Sequence, residues 1–299
     1  MKILLTGGSG QLGKSIINLK PINVELIAPE RSKLDLSNAE NCLQYVELER
    51  PDWIINCGAF TNVDKAESEK EDVLRINHQA PKNFSKVLAT YGGKLLQIST
   101  DYVFDGHKTE PYKTDDEVNP KNIYGYSKAM AEESIKEIFL AKNSYSILRT
   151  SWVVSPYGNN FIKTMLKLMD GDNEIKVVND QIGSMTSALN LANACWEIIK
   201  TNEDYSLRDL SMPPILHWSD EGIISWCQFA IAIRNIIEES GFIKNPAKII
   251  PITSNDYAFI AKRPKYSVLS CTQTEKLLNL KRINWMTSLN TIFNVILAK

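Results

Sequence analysis

Lys2-Ile3-Leu4-Leu5-Thr6-Gly7-Gly8-Ser9-Gly10-Gln11-Leu12-Gly13-Lys14-Ser15-Ile16-Ile17-Asn18-Leu19 passes through a short apolar strand, a glycine turn and a helix-like segment. That order is the context a dinucleotide site requires. Glycines let the turn close tightly and bring the backbone near a pyrophosphate, which then sits on the helix N-terminus. Gly7, Gly10 and Gly13 are spaced G-x-x-G-x-x-G, not the more familiar G-x-G-x-x-G. A glycine loop alone is weak evidence; directly behind a buried-looking strand it is much stronger.

Outward from this stretch, strand-like and helix-like segments alternate. A second strand is expected over residues 24–28, leading to Pro29-Glu30-Arg31-Ser32. An acidic residue roughly 20 positions beyond the loop suits a ribose 2′-hydroxyl, and Glu30 fits. Arg31 and Ser32 would instead suit a 2′-phosphate, so NADH and NADPH both stay open. A helix follows through about residue 49, with Ser37 or Asn38 as its N-cap. Residues 51–59 read as a buried strand with a small-residue exit, 63–71 as a solvated loop and helix face, and 73–91 as a helix. Strands at 93–101 and 145–150 continue the rhythm. Strands alternating with helices imply a parallel sheet with ligands at the strands' C-terminal ends.

The expected fold is therefore α/β. It combines a Rossmann-type doubly wound parallel sheet over residues 1–152 with a smaller C-terminal α/β substrate domain over 153–299, some later segments returning to the first. In the second half we expect helices at 161–169, 188–201 and 224–240, a strand at 174–178 and a loop at 204–214. Trp226 and Phe229 read as core residues.

The bulk properties exclude several classes of protein. A 299-residue chain that is 43% hydrophobic and 23% charged supports a sizeable core, and a formal net charge of -1 offers no general attraction to nucleic acid or anionic membrane. Five cysteines, odd in number and never spaced C-x-x-C, read as free thiols in a reducing compartment. The first apolar run is too short for a signal peptide or a membrane span, so a cytoplasmic protein is expected. His78, His107 and His217 are isolated, and no metal-ligand spacing is visible.

The chemistry concentrates in Tyr124-Gly125-Tyr126-Ser127-Lys128. Residues four apart on a helix share one face, so the Tyr124 phenol and the Lys128 ammonium point into one volume. A nearby cation favours the phenolate, which makes the pair a tunable proton donor for an alkoxide formed by hydride addition. Thr100 ends the strand at 93–101, where a hydroxyl would meet a substrate carbonyl. Trp152 stands at the exit of the strand at 145–150. The basic segment Ala261-Lys262-Arg263-Pro264-Lys265-Tyr266-Ser267 reads as a solvated loop or as a loop over a nucleotide diphosphate, with Arg263 able to bind phosphate bidentately.

Together these residues resemble the extended short-chain dehydrogenase/reductases, and within them the dTDP-4-dehydrorhamnose reductases. GGSGQLG, RPDWIINCGAFTNVDKAES, STDYVFDG, NIYGYSK, LRTSWVV, NNFIKTM, VVNDQIGSMTS and AKRPKYSVLS carry the resemblance from residue 1 to about 270, in similar order. It implies an NADPH- or NADH-dependent reductase of a nucleotide-sugar ketone, with Thr100, Tyr124 and Lys128 catalytic. Tyr124 would donate the proton, while Lys128 binds the nicotinamide ribose and lowers the tyrosine pKa. Gly7, Gly10, Gln11, Leu12 and Gly13 would cradle the pyrophosphate. Glu30, Asp35 and Leu36 would lie along the adenosine half, and Ala59, Phe60 and Thr61 along the dinucleotide. Thr100, Asp101 and Trp152 would contact the sugar nucleotide.

Related dehydratases carry an Asp-Glu pair after the threonine. Here Asp101 is followed by Tyr102, which favours simple reduction over elimination. Phe60 stands where many members of the family have a histidine, and Met185 where many have a proline. A reductase or epimerase acting on a UDP-linked sugar remains open. So does a regulatory subunit such as the beta subunit of methionine adenosyltransferase, which resembles the same reductases. A Mg2+ requirement cannot be read from the residues, and the oligomeric state is open, a homodimer included.

Overall fold

The computed structural model describes residues 1–141, 143–171 and 173–298. Strand β1 (Lys2–Thr6) leads through the glycine turn into α1 (Gln11–Asn18), then β2 (Glu25–Ile27), α2 (Ala39–Glu49) and β3 (Trp53–Asn56). Two short helices, α3 (Val63–Ala66) and α4 (Lys70–Leu74), precede α5 (Ala80–Tyr91). Strand β4 (Lys94–Thr100), a 3-10 turn at Asp101–Val103, α6 (Ile123–Ile138) and β5 (Tyr145–Thr150) complete the first half. The chain continues as β6 (Val153–Val154), α7 (Phe161–Met169), β7 (Glu174–Val178), β8 (Ile182–Gly183), β9 (Thr186–Ser187), α8 (Ala188–Leu207) and β10 (Ile215–His217). It ends with β11 (Ile224–Ser225), α9 (Trp226–Glu239), β12 (Lys248–Ile252), α10 (Thr272–Leu278) and α11 (Trp285–Leu297).

The central sheet has the order β10-β5-β4-β3-β1-β2, with every neighbouring pair parallel. It is a Rossmann-type doubly wound sheet. Parallel strands covered on both faces must be apolar on both, and the alternation of their side chains divides them between two cores. Ile3, Leu5, Ile55, Leu96 and Leu148 pack on the side of α1 and α8. Their neighbours Leu4, Ile54, Leu95 and Ile147 pack with α2 and α5. After β2 the chain returns to the other side of β1, so the switch point of the sheet lies between β1 and β3, where such folds bind ligands.

Beyond the sheet, the parallel pairs β6–β9 and β7–β12 and the antiparallel pair β8–β11 surround a further core. It contains Val154, Ile162, Ile175, Phe229, Ile233 and Phe293, and Met185 is fully buried in it. No helix among the described residues is long and apolar enough to cross a membrane. All five cysteines are free thiols, and four of them are buried.

Four boundaries differ from the sequence reading. The helix expected over 73–91 begins at Lys70 and is interrupted by a π-helical turn at Arg75–Gln79. The helix expected over 188–201 runs on to Leu207, which shortens the loop expected at 204–214. That loop delivers the chain to β10, a sixth strand of the central sheet that is too short to carry a periodic signal. Residues 224 and 225, expected as helix, pair with β8, and Ser225 closes a capping box with Gln228 at the start of α9.

Candidate active site

The C-terminal ends of β1, β3, β4 and β5 open into a cavity of about 670 Å³. The glycine turn, Ala59, Thr61, Thr100, Asp101, Tyr124, Lys128 and Trp152 line it. A neighbouring cavity of about 410 Å³ is lined by Glu30, Arg31, Asp35 and Leu36 and shares Gly7, Ser9, Gly58 and Ala59 with the first. The two form one groove across the switch point.

The glycine turn is shaped for close approach. Gly7 has φ +67°, and a Cβ there would lie 2.7 Å from the Gly58 nitrogen. A Cβ on Gly13 would lie 2.6 Å from Gly8 Cα. No side chain among the described residues caps the N-terminus of α1, where Gly10 stands. A buried polar row fixes the strand ends beneath: Thr6 Oγ1 donates to Asn56 Oδ1 (2.6 Å) and accepts from Gly58 N (2.9 Å). Asn56 Nδ2 in turn donates to Gln97 Oε1 (2.7 Å). A turn that excludes side chains beside uncapped helix N–H groups fits a dinucleotide pyrophosphate. The Gln11 side chain is committed elsewhere. It accepts from Ser155 Oγ (3.0 Å) and Asn160 Nδ2 (2.8 Å), tying the 153–160 segment to the turn.

Tyr124 and Lys128 are set by the start of α6. Asn122 caps the helix, its Oδ1 accepting from Gly125 N (2.8 Å) while its Nδ2 donates to Lys262 O (2.8 Å). Glu67 Oε1 accepts from Ile123 N (2.8 Å). Gly125 lets the helix press against the Asp101–Val103 turn, since a Cβ there would lie 2.9 Å from the Tyr102 carbonyl carbon. Thr100 Oγ1 donates to Asp101 Oδ1 (3.0 Å).

Burial dominates the electrostatics. It pushes the Tyr124 phenol up to about 12, against the pull of its hydrogen bond with Thr100. It also takes Lys128 down to about 8, with Glu132 opposing. The expected lowering of the tyrosine by the lysine is not seen: desolvation sets the direction, and the group that opposes it is Thr100. Asp101, 2% exposed, is raised to about 6 by burial, and its Oδ2 has no hydrogen-bond partner among the described residues. A protonated phenol, a hydroxyl and a buried carboxyl therefore face one polar ligand site.

Residues 1–297 match the family model described as RmlD substrate binding domain. Over 293 residues the chain is 34% identical to the dTDP-4-dehydrorhamnose reductase of Aggregatibacter actinomycetemcomitans, covering 97% of this chain and 98% of that protein. The chain belongs to the dTDP-4-dehydrorhamnose reductase family. The solved structure of a reductase of this name from Clostridium acetobutylicum ATCC 824 superposes with a TM-score of 0.88 at 36% identity, covering 99% and 100% of the two chains. The Bacillus anthracis str. Ames reductase in complex with NADP gives 0.86 at 34% identity, covering 98% and 99%.

The remaining expected residues fall in different places. Trp152, at φ +45°, stacks on Trp226 with centroids 3.6 Å apart, and Gly183 packs against its indole. Trp226, read as core, thus backs the cavity wall through Trp152. Phe60 is held by its backbone: Asn77 Oδ1 accepts from its N–H (2.8 Å) and Asn77 Nδ2 donates to its carbonyl (3.0 Å). Asn77 Nδ2 also lies 3.0 Å from Ser127 Oγ, bridging this loop to α6. Nothing in the sequence pattern singled out Asn77; the π-helical turn that aims it inward is a tertiary feature. Arg263 donates to Asp64 Oδ2 (2.8 Å) and lies over the Phe259 ring, while its Nη1 is buried with no partner among the described residues. No cluster of metal-ligating side chains occurs among the described residues.

Proposed function

We propose that this chain reduces the C4 ketone of dTDP-4-dehydro-L-rhamnose to give dTDP-L-rhamnose, using NADPH or NADH, in the cytoplasm, as a monomer or a homodimer. The observation that carries this reading is the convergence of Thr100, Tyr124 and Lys128 on the cavity that the glycine turn opens into. A bound nicotinamide cofactor supplies the hydride. Gly7, Gly10, Leu12 and Gly13 hold its pyrophosphate, with the backbone of Gln11. Glu30, Asp35 and Leu36 flank the adenosine half, and Ala59, Phe60 and Thr61 the middle of the dinucleotide. Arg31, beside Glu30, is the residue that would accept a 2′-phosphate.

Tyr124, protonated at neutral pH, gives its phenolic proton to the oxygen on sugar C4. Thr100 orients that oxygen by hydrogen bonding, and Lys128 binds the ribose next to the phenol. Asp101 and Trp152 hold the sugar, and Arg263 stands ready for the diphosphate. Tyr102, where a dehydratase would place a second carboxyl acid, removes that acid and favours reduction over elimination. The core built on residues 154–293 serves the substrate, the sheet of the first half the cofactor.

NAD(P)H oxidation against a panel of dTDP- and UDP-linked 4-keto sugars tests this reading. Turnover preferring dTDP-4-dehydro-L-rhamnose is expected. Turnover confined to UDP-linked ketones would move the substrate assignment. Cofactor binding without turnover of any ketone would point to a regulatory protein.

A further inference from the structure

Behind the cavity wall lies a buried charged cluster that the proposed reaction does not use. Glu132 follows Lys128 by one turn of α6, on the same face. Its side chain is 2% exposed, and that of its partner Arg149 is 1% exposed. Arg149 Nη2 and Nε donate to the Glu132 carboxylate at 2.6 and 3.0 Å. Ser99 Oγ donates to Glu132 Oε1 at 2.6 Å. Arg149 Nη1 donates to Thr114 O (3.3 Å) and faces His217 Nε2 (3.4 Å).

Each anchor adjoins a cavity residue. Ser99 precedes Thr100 on β4, Arg149 precedes Thr150 on β5, and Glu132 is one turn beyond Lys128. A pair so thoroughly desolvated is a poor source of stability, because apolar side chains of similar size would serve as well. Its place at the junction of the elements that carry the site gives it another use.

We propose that Glu132 is a positioning residue for the reductase. Through Ser99 and Arg149 it sets α6, and with it Lys128 one turn before, against the β4–β5 edge, with its carboxylate on the same helix face as the Lys128 ammonium. This rests on the reading of the site as a reductase. The groups facing Lys128 are Glu132 and Tyr124 from its own helix, Cys57 from the exit of β3, and Asp101 across the cavity from the end of β4. Arg149 on β5 and His217 on β10 stand behind Glu132.

The test uses the full chain with E132Q and with the double variant E132Q/R149M, in which no unpaired arginine is left buried. NADPH affinity by fluorescence and kcat/KM are each followed across alkaline pH. Losing the carboxylate should make Lys128 lose its proton earlier. The alkaline fall-off should move to lower pH by about one unit or more in E132Q, and in the same direction in the double variant. A role confined to packing predicts lower thermal stability in E132Q, recovery in the double variant and an unmoved alkaline limb in both; that result overturns the proposal. If E132Q does not fold, the double variant decides by the same readouts. If the parent chain turns over no keto sugar, the reductase reading fails, while the NADPH titration still decides the assignment of Glu132.

Discussion

Replacing Gly125 by alanine separates helix propensity from the geometry of the site. Alanine is worth about 1 kcal/mol more than glycine inside a helix, so propensity alone predicts a more stable protein. The added Cβ would lie 2.9 Å from the Tyr102 carbonyl carbon and closer still to its oxygen, where ordinary contact begins at 3.4 Å. Tyr102 cannot turn aside freely, because its N–H donates to Thr100 Oγ1 at 3.2 Å. Helix α6 must therefore back away by between about 0.5 and 1 Å, and Tyr124 moves with it, away from Thr100. Overpacking of this kind costs about 1–3 kcal/mol, so the net change in stability after the propensity gain is about 0–2 kcal/mol. A displacement near 1 Å at a reacting group costs up to about 100-fold in rate. The signature is a melting temperature lowered by a few degrees beside a kcat/KM lowered by about 10- to 100-fold. Gly171, with no described residue beyond its chain neighbours within 4 Å of a Cβ, is the control, and G171A should match the parent in both assays. A G125A protein within about threefold of the parent in kcat/KM would refute the reasoning that this contact positions Tyr124.

Two further outcomes follow from the site. Y124F removes the proton donor and should lower kcat at least ~100-fold while NADPH affinity, read by fluorescence, stays near that of the parent. Asp101 is raised by burial from its ordinary 3.8 to about 6, so the folded chain binds more protons than the unfolded chain between those values. The burial cost therefore grows as pH rises through that window and is complete above it, at about 2–3 kcal/mol. D101N abolishes it: melting at pH 7 should rise above the parent while ketone reduction falls, and the gain in melting should vanish below about pH 4. A gain in melting that persists at low pH would mean that the carboxyl is not the source.

The first half of the fold was legible because each signal there is local and redundant. β1, the glycine turn and α1 are contiguous, and Ile3, Leu4 and Leu5 are apolar in succession because the strand is covered on both faces. The N-cap alternative between Ser37 and Asn38 was settled by a single acceptor, Asn38 Oδ1 for the N–H of Asn41. The second half was less legible because its strands are short. β6, β8, β9 and β11 have two residues each, and β10 has three, so their pairing is written in the partner strands.

For the site, spacing showed which side chains are neighbours and left open the medium in which they meet. Tyr124 and Lys128, four residues apart, do share a cavity, yet both are desolvated, and that burial opposes the charged form of each. The consequence bears on the proton form of the catalyst. A phenol at about 12 keeps its proton at neutral pH, which is the form needed to quench an alkoxide; the reverse oxidation needs the phenolate. Lys128, at about 8, keeps its charge at neutral pH with little to spare, so a carboxylate on the same helix face has a task that spacing alone does not reveal. Glu132 looked like one more carboxylate on a helix. It becomes informative only when Ser99 from β4 and Arg149 from β5 are seen to close on it. A phenol kept protonated, on a helix anchored to β4 and β5 one turn behind its lysine, is the form of the site that ketone reduction needs.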